Sequence, residues 1–136
     1  MRAIVVSVMA LGLLAPAARG GDEREVKTAI ASQDRAADGA VAQRAGRAPY
    51  YLLFGADGDL LEVVENPSKD VGRRAGAGTA EFLGDKGATL VVAGHFGRNM
   101  VDALDLRGIG HFEFSGTIAD ALKKARNHGA GAGLRK

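Results

Sequence analysis

Between residues 25 and 128 the apolar pattern switches repeatedly between a period of two and a period near 3.6, and the switches mark out the elements. EVKTAIASQD (25–34) is a short run of β-branched and small apolar residues ended by Asp34, which predicts a strand. RAADGAVAQRAGRAP (35–49) is rich in Gly, Ala and Arg, stops at a proline and reads as a loop. YYLLFGADGDLLEVVEN (50–66) places two apolar runs around Ala56-Asp57-Gly58-Asp59, a hairpin signal, and Asn66-Pro67 ends the second run. A glycine-rich loop then leads into a helix from about Ala77 to Lys86, with Ala80, Phe82 and Leu83 on its apolar face and Gly87 as its stop. ATLVVAG (88–94) is continuously apolar, as a strand covered on both faces should be. RNMVDALDLRG (98–108) sets Met100, Val101, Leu104 and Leu106 on one side of a helix. IGHFEF (109–114) alternates as a strand, and IADALKKARNHG carries Ile118, Ala121, Leu122 and Ala125 at helical spacing. Thr117 and Asp120, three apart, resemble a capping box.

The order is strand, hairpin, helix, strand, helix, strand, helix. Its second half requires right-handed crossovers and parallel pairing, and the hairpin adds an antiparallel strand. The expectation is a single α/β domain with a mixed sheet of about five strands and helices on its faces. The loops after Asp34, Gly94 and Phe114 should lie at the carboxyl ends of the strands, the edge where open α/β sheets bind ligands.

Residues 1–20 break the pattern. Arg2, an apolar run from Ala3 to Leu14, and small residues through Ala15, Ala17, Ala18 and Gly20 describe a secretory signal peptide, with cleavage between Ala17 and Gly21. The run is too short for a comfortable membrane span. The expected organisation is a signal peptide over 1–20, a domain over 21–128 and a flexible tail over 129–136, with the domain exported to the periplasm or secreted, or cytoplasmic if the segment is no signal.

Composition narrows the chemistry. The 136 residues include no cysteine, which excludes disulfides, thiolate zinc sites and cysteine nucleophiles. A formal net charge of +2 with mixed signs and 5% aromatic residues argues against nucleic acid as a partner. Any metal must therefore use His, Asp, Glu, Met or backbone, or arrive as a preformed anionic complex.

The loop GHFGRN (94–99) stands out, because it should present backbone N–H groups at the start of a helix, where anions are favoured. Arg98 adds a charge, Asn99 adds donors, and His95 can ligate a metal or donate to an oxo or sulfide group. The residues fit a plain strand-to-helix turn as well, shaped by Gly94 and Gly97. GRRAGAGTAEF (72–82) offers similar logic, with Gly76 and Gly78 admitting an anion and Arg73 and Arg74 guarding it; it is no P-loop, since the Gly-Lys-Ser/Thr ending is missing. Gly46 and Arg47 would close the site from the first crossover loop. Ser115-Gly116-Thr117 gives another helix start at that edge, with Thr117 reading as an ordinary cap. His111, on an alternating strand, and His128, at a helix end, are assigned no metal role.

GRAPYYLLF, VVENP, GAGTAEFLGDKGATLVVAGHFGRNMVDAL and SGTIADAL, in that order and spacing from about Val26 to Ala125, resemble the dinitrogenase iron-molybdenum cofactor biosynthesis family, the nitrogenase accessory factor-like proteins. The resemblance implies a three-layer α/β/α, ribonuclease H-like fold with a five-stranded mixed sheet. It implies a carrier of iron–molybdenum or other molybdenum–sulfur clusters or their precursors, with an acceptor or delivery protein as partner, and not an enzyme. The family often has a His-Phe pair before the Gly-Arg-Ala-Pro segment; Arg44 and Ala45 stand there in this chain. The function expected is a non-enzymatic carrier holding an anionic cluster through Gly46, Arg47, Arg73, Arg74, Gly76, Gly78, Gly94, His95, Gly97, Arg98 and Asn99, with His95 as the metal ligand. The alternative is an exported small-anion-binding or protein-interaction module that has lost cluster binding. A metal-dependent nuclease ranks third, since Asp34 and Glu81 make an incomplete carboxylate set.

Overall fold

The computed structural model describes residues 26–70 and 72–135. The expected signal peptide over 1–20 lies outside the described residues. Five strands, β1 (Lys27–Ser32), β2 (Tyr50–Gly55), β3 (Leu60–Glu65), β4 (Leu90–Ala93) and β5 (Gly110–Glu113), alternate with three helices, α1 (Ala75–Asp85), α2 (Arg98–Leu106) and α3 (Ile118–Arg135). Short 3-10 turns occupy Ala45–Arg47 and Gly72–Arg74. The sheet runs β3-β2-β1-β4-β5, with β1-β4 and β4-β5 parallel and the β2-β3 hairpin antiparallel to β1. This is the mixed sheet that the element order predicts.

Strand alternation sorts the core into two layers. Ala29, Ala31, Tyr51, Leu53, Val91 and Ala93 face α1 and α2, where Leu83, Met100 and Leu104 pack on them. Ile30, Leu52, Phe54 and Val92 face Ile118, Ala121 and Ala125 of α3. All four residues of β4 are buried, as its unbroken apolar run requires.

Helices α1 and α2 end alike. Gly87 and Gly108 take positive φ (88° and 71°), and Ala88 and Ile109 donate back to the Leu83 and Leu104 carbonyls, so only glycine fits without strain. Two expectations about helices change. Leu106 is 87% exposed, because its position turns it away from the face carrying Met100 and Leu104. The last helix continues to Arg135, beyond the boundary expected at residue 128; the Gly/Ala repeat there contains no proline to stop it.

The segment expected to be a plain loop is tied down along its length. Residues 39–45 cross the carboxyl ends of the parallel strands. Val41 N–H donates to the Gly116 carbonyl (2.9 Å), Gly94 N–H to the Ala42 carbonyl (2.9 Å) and Ala45 N–H to the His95 carbonyl (3.0 Å). A Cβ on Gly94 would sit 2.8 Å from the Gln43 Cα, so this crossing requires a glycine there.

Candidate functional site

The crossing strap delivers the turn Ala45–Arg47 to the starts of α1 and α2. Two close approaches bring these pieces together. A Cβ on Gly46 would stand 3.0 Å from the Gly76 backbone, and one on Gly76 would stand 3.0 Å from the Met100 Cβ. These two glycines set helix–turn and helix–helix spacing.

Behind the turn lies a buried polar knot. Tyr51 donates its phenol to the Ala45 carbonyl at 2.6 Å. Asn66, 1% exposed, donates to the Gly46 (3.2 Å) and Ala48 (3.0 Å) carbonyls, and its own carbonyl accepts from the Thr79 hydroxyl at 3.1 Å. Burial pushes the Tyr51 phenol well above its ordinary range, so it remains a donor. The turn's carbonyl oxygens are thereby held by interior donors, and these oxygens are the atoms that would repel an anion.

In front of the turn opens a cavity of about 370 Å³, walled by Arg44, Gly46, Arg47, Gly76, His95, Gly97, Arg98 and Asn99 among others. Neither α1, with Arg74 at its N-cap, nor α2, with Gly97 there, has a side-chain cap, and no acidic residue occupies the first turn of either helix. Their amide dipoles therefore add to the arginine charge and favour a negative occupant. Arg47 is partly committed, donating to the Lys69 (3.1 Å) and Gly72 (2.9 Å) carbonyls. A Cβ on Gly97 would meet nothing within 4 Å, so the mouth of α2 is open.

His95 is mostly exposed, and its Nδ1 lies 3.1 Å from Glu113 Oε2 in an ion-pair contact. The Phe96 N–H donates to the same oxygen at 3.0 Å. Among the described residues no three His, Asp or Glu side chains group to hold a metal ion. The donor set of one imidazole, several guanidinium groups and backbone amides suits a preformed anion rather than a bare cation.

Seven of the residues expected at the site meet in this cavity: Gly46, Arg47, Gly76, His95, Gly97, Arg98 and Asn99. Arg74 sits exposed at the α1 N-cap and Gly94 lies behind the loop against Gln43; neither lines the cavity. Gly78 packs against Ser68, where a Cβ would collide with the Ser68 hydroxyl, so its role there is packing. Arg73 belongs to the Gly72–Arg74 turn. The loop after Phe114 sits on the far side of the strap, bonded to Val41, and the start of α1 takes its place in the cavity wall. Thr117 is the ordinary cap expected, accepting the Asp120 N–H at 3.0 Å. His111 bonds Asp105 (3.2 Å) and packs its ring on Phe96, while His128 packs on Phe112. Asp34 accepts the Ala36 N–H within its own turn, and Glu81 is exposed on α1.

Two participants escaped the sequence reading. Arg44 lines the cavity and pairs with His95 through an isolated parallel bridge. Glu113 was visible only as the residue two beyond His111 on an alternating strand. A larger groove of about 850 Å³ lies under α3 at the opposite edge of the sheet, lined by Thr28, Leu90, Gly110 and Leu122 among others. It contains none of the expected site residues.

A family model described as dinitrogenase iron-molybdenum cofactor matches residues 24–128. Among solved structures, the chain is similar to the apo form of the orange protein from Desulfovibrio gigas, with TM-score 0.71 and 24% identity over 78% of this chain and 92% of that one. It is also similar to a candidate NifB protein from Thermotoga assigned to the DUF35 family, with TM-score 0.62 and 29% identity over 74% and 90% of the two chains. A candidate dinitrogenase from Methanocaldococcus jannaschii matches in fold, with TM-score 0.53 and 9% identity over 78% and 92%. No curated protein sequence matches the chain.

Proposed function

The chain belongs to the dinitrogenase iron-molybdenum cofactor family, and from that premise we propose that its cavity carries an anionic metal–sulfur cluster, of iron–molybdenum or molybdenum type, or a precursor of one. The observation that carries this reading is the convergence of two uncapped helix starts with Arg44, Arg47 and Arg98 around a single imidazole. With no thiolate in the chain, charge and backbone hydrogen bonds do most of the holding, and His95 supplies the one side-chain nitrogen able to reach a metal. On this reading the protein is a carrier that hands its cargo to an acceptor protein, which the family match supports. The apolar segment before Gly21 supports export of that carrier with cleavage between Ala17 and Gly21; mass analysis of the exported protein tests it, and an uncleaved protein retained in the cytoplasm would overturn it.

Anaerobic titration with tetrathiomolybdate should produce a charge-transfer band that saturates with protein. Affinity should fall as ionic strength rises through the range where the Debye length shrinks from about 30 to 10 Å. Arg98→Ala should weaken binding about tenfold, one guanidinium contact being worth roughly 1–2 kcal/mol. Absence of a band in the wild type sinks the cluster reading. A second reading, a small-oxyanion carrier, is favoured by the presence of only one imidazole in the wall. Tight phosphate binding without a tetrathiomolybdate band would select it.

A further inference from the structure

We propose that Glu113 is the positioning residue of the cavity, fixing which nitrogen of His95 meets the bound anion; this rests on the cargo reading above. Glu113 does not line the cavity, so it reaches a ligand only through its neighbours. Its place follows from the sheet register. Glu113 pairs with Ala93 across the parallel β4-β5 ladder, and Phe114 N–H donates to the Ala93 carbonyl (2.9 Å). Two residues beyond Ala93 the chain turns out of the sheet at His95, alongside the Glu113 carboxylate.

One oxygen, Oε2, stands 3.1 Å from His95 Nδ1 as an ion-pair contact and accepts the Phe96 N–H at 3.0 Å. A carboxylate at that distance favours the ring form that carries its proton on Nδ1. The neutral ring then carries its lone pair on Nε2, and the charged ring carries its second N–H there. In either state Nε2 is the atom left for the cavity. A carboxylate on the far nitrogen also raises the basicity of a ligating imidazole. The Phe96 bond holds the backbone of the GHFGRN loop immediately before the α2 N-cap at Gly97. As an isolated exposed ion pair the contact would add little to stability. Its effect is on the tautomer and on the loop that carries it.

The test uses the wild type, Glu113→Gln and Glu113→Ala, each full length and selectively ¹⁵N-labelled at histidine, with His95→Gln identifying the His95 signals. Long-range ¹H–¹⁵N spectra at neutral pH report the tautomer without any ligand, and anaerobic titration with tetrathiomolybdate reports affinity. Wild-type His95 should show Nδ1–H. Both variants should move toward the Nε2–H form that imidazole favours in water, and should bind tetrathiomolybdate about 10-fold or more weaker. The proposal is overturned if wild type and variants share one tautomer mixture, or if the tautomer shifts while affinity stays at the wild-type level. If the wild type itself fails to bind, the cargo reading falls and the tautomer spectra still decide whether Glu113 positions His95.

Discussion

Helices α2 and α3 begin at equivalent places, each just after one of the adjacent parallel strands β4 and β5, at the same edge of the sheet. Their starts are finished differently. At α3 the chain closes its own helix: Thr117 Oγ1 accepts the Asp120 N–H, Ile118 N–H donates to the Gly39 carbonyl, and Asp120 sets a negative charge in the first turn. At α2 the N-cap is Gly97, no side chain caps it, the first turn holds no acid, and Arg98 adds a positive charge where an anionic side chain would be favourable. With glycine as its N-cap, the α2 start forgoes a few tenths of a kcal/mol that a capping side chain would contribute. The chain accepts that cost at the start facing a cavity and avoids it at the start packed under the strap. Position at the sheet edge makes a helix start available; what the chain leaves unfinished there makes it a candidate site.

The comparison is broken most severely by removing what holds the open cavity in shape. Behind the 45–47 turn, Asn66→Ala deletes the side-chain donor to the buried Ala48 carbonyl, one of the two side-chain donors to the Gly46 carbonyl (Thr79 Oγ1 is the other), and an acceptor of the Thr79 hydroxyl and the Ser68 N–H. The expected loss is about 2–4 kcal/mol in urea denaturation, because buried partners are left unsatisfied. A loss below about 0.5 kcal/mol, the size of an ordinary surface effect, would mean that the turn is held by packing alone.

A sharper break is to finish α2 as α3 is finished. At Gly97, φ is −75° and ψ is 160°, ordinary for any residue, and a Cβ there meets open space. Gly97→Asp should therefore fold and gain a few tenths of a kcal/mol as a capped helix, on the scale of glycine-to-aspartate exchange at N-caps. The same carboxylate would occupy the donors offered to an anion and repel it, lowering tetrathiomolybdate affinity about tenfold, or roughly 1.4 kcal/mol. A variant that is more stable yet binds equally well would remove the α2 start from the site.

How far the sequence reveals all this depends on the range of the interaction concerned. Strand alternation, the Asp-Gly hairpin, helical spacing and the stop glycines Gly87 and Gly108 are local, and the element order follows from them. GHFGRN was recognisable because a helix start, a histidine and an arginine are contiguous. Arg44 was not, since its place beside His95 depends on a strap that crosses three loops and bonds to residues about fifty to seventy-five positions away in the chain. Asn66 read only as the end of a strand, because the carbonyls it satisfies lie twenty residues earlier. Glu113 meets His95 only through the β4-β5 register. The glycines were legible as special but not for their reasons. Gly46 and Gly76 both line the cavity and permit close packing, Gly78 serves packing alone, and Gly97, at an ordinary extended φ, has open space around it.

The smallest expected effect falls on the closed start and serves as the control for the open one. Thr117→Ala removes the hydroxyl that accepts the Asp120 N–H and leaves the backbone bonds of the strap in place. Loss of a threonine N-cap costs about 1 kcal/mol, so the midpoint in urea should fall while its slope stays unchanged. Since Thr117 lies outside the cavity wall, tetrathiomolybdate affinity and its salt dependence should match the wild type. The paired outcome carries the argument: α3 loses stability without losing binding, and α2 in Gly97→Asp loses binding without losing stability. If Thr117→Ala weakens binding as much as Gly97→Asp does, then the strap that joins residues 39–45 to both helix starts transmits the change, and the two ends are one unit rather than a site and a support.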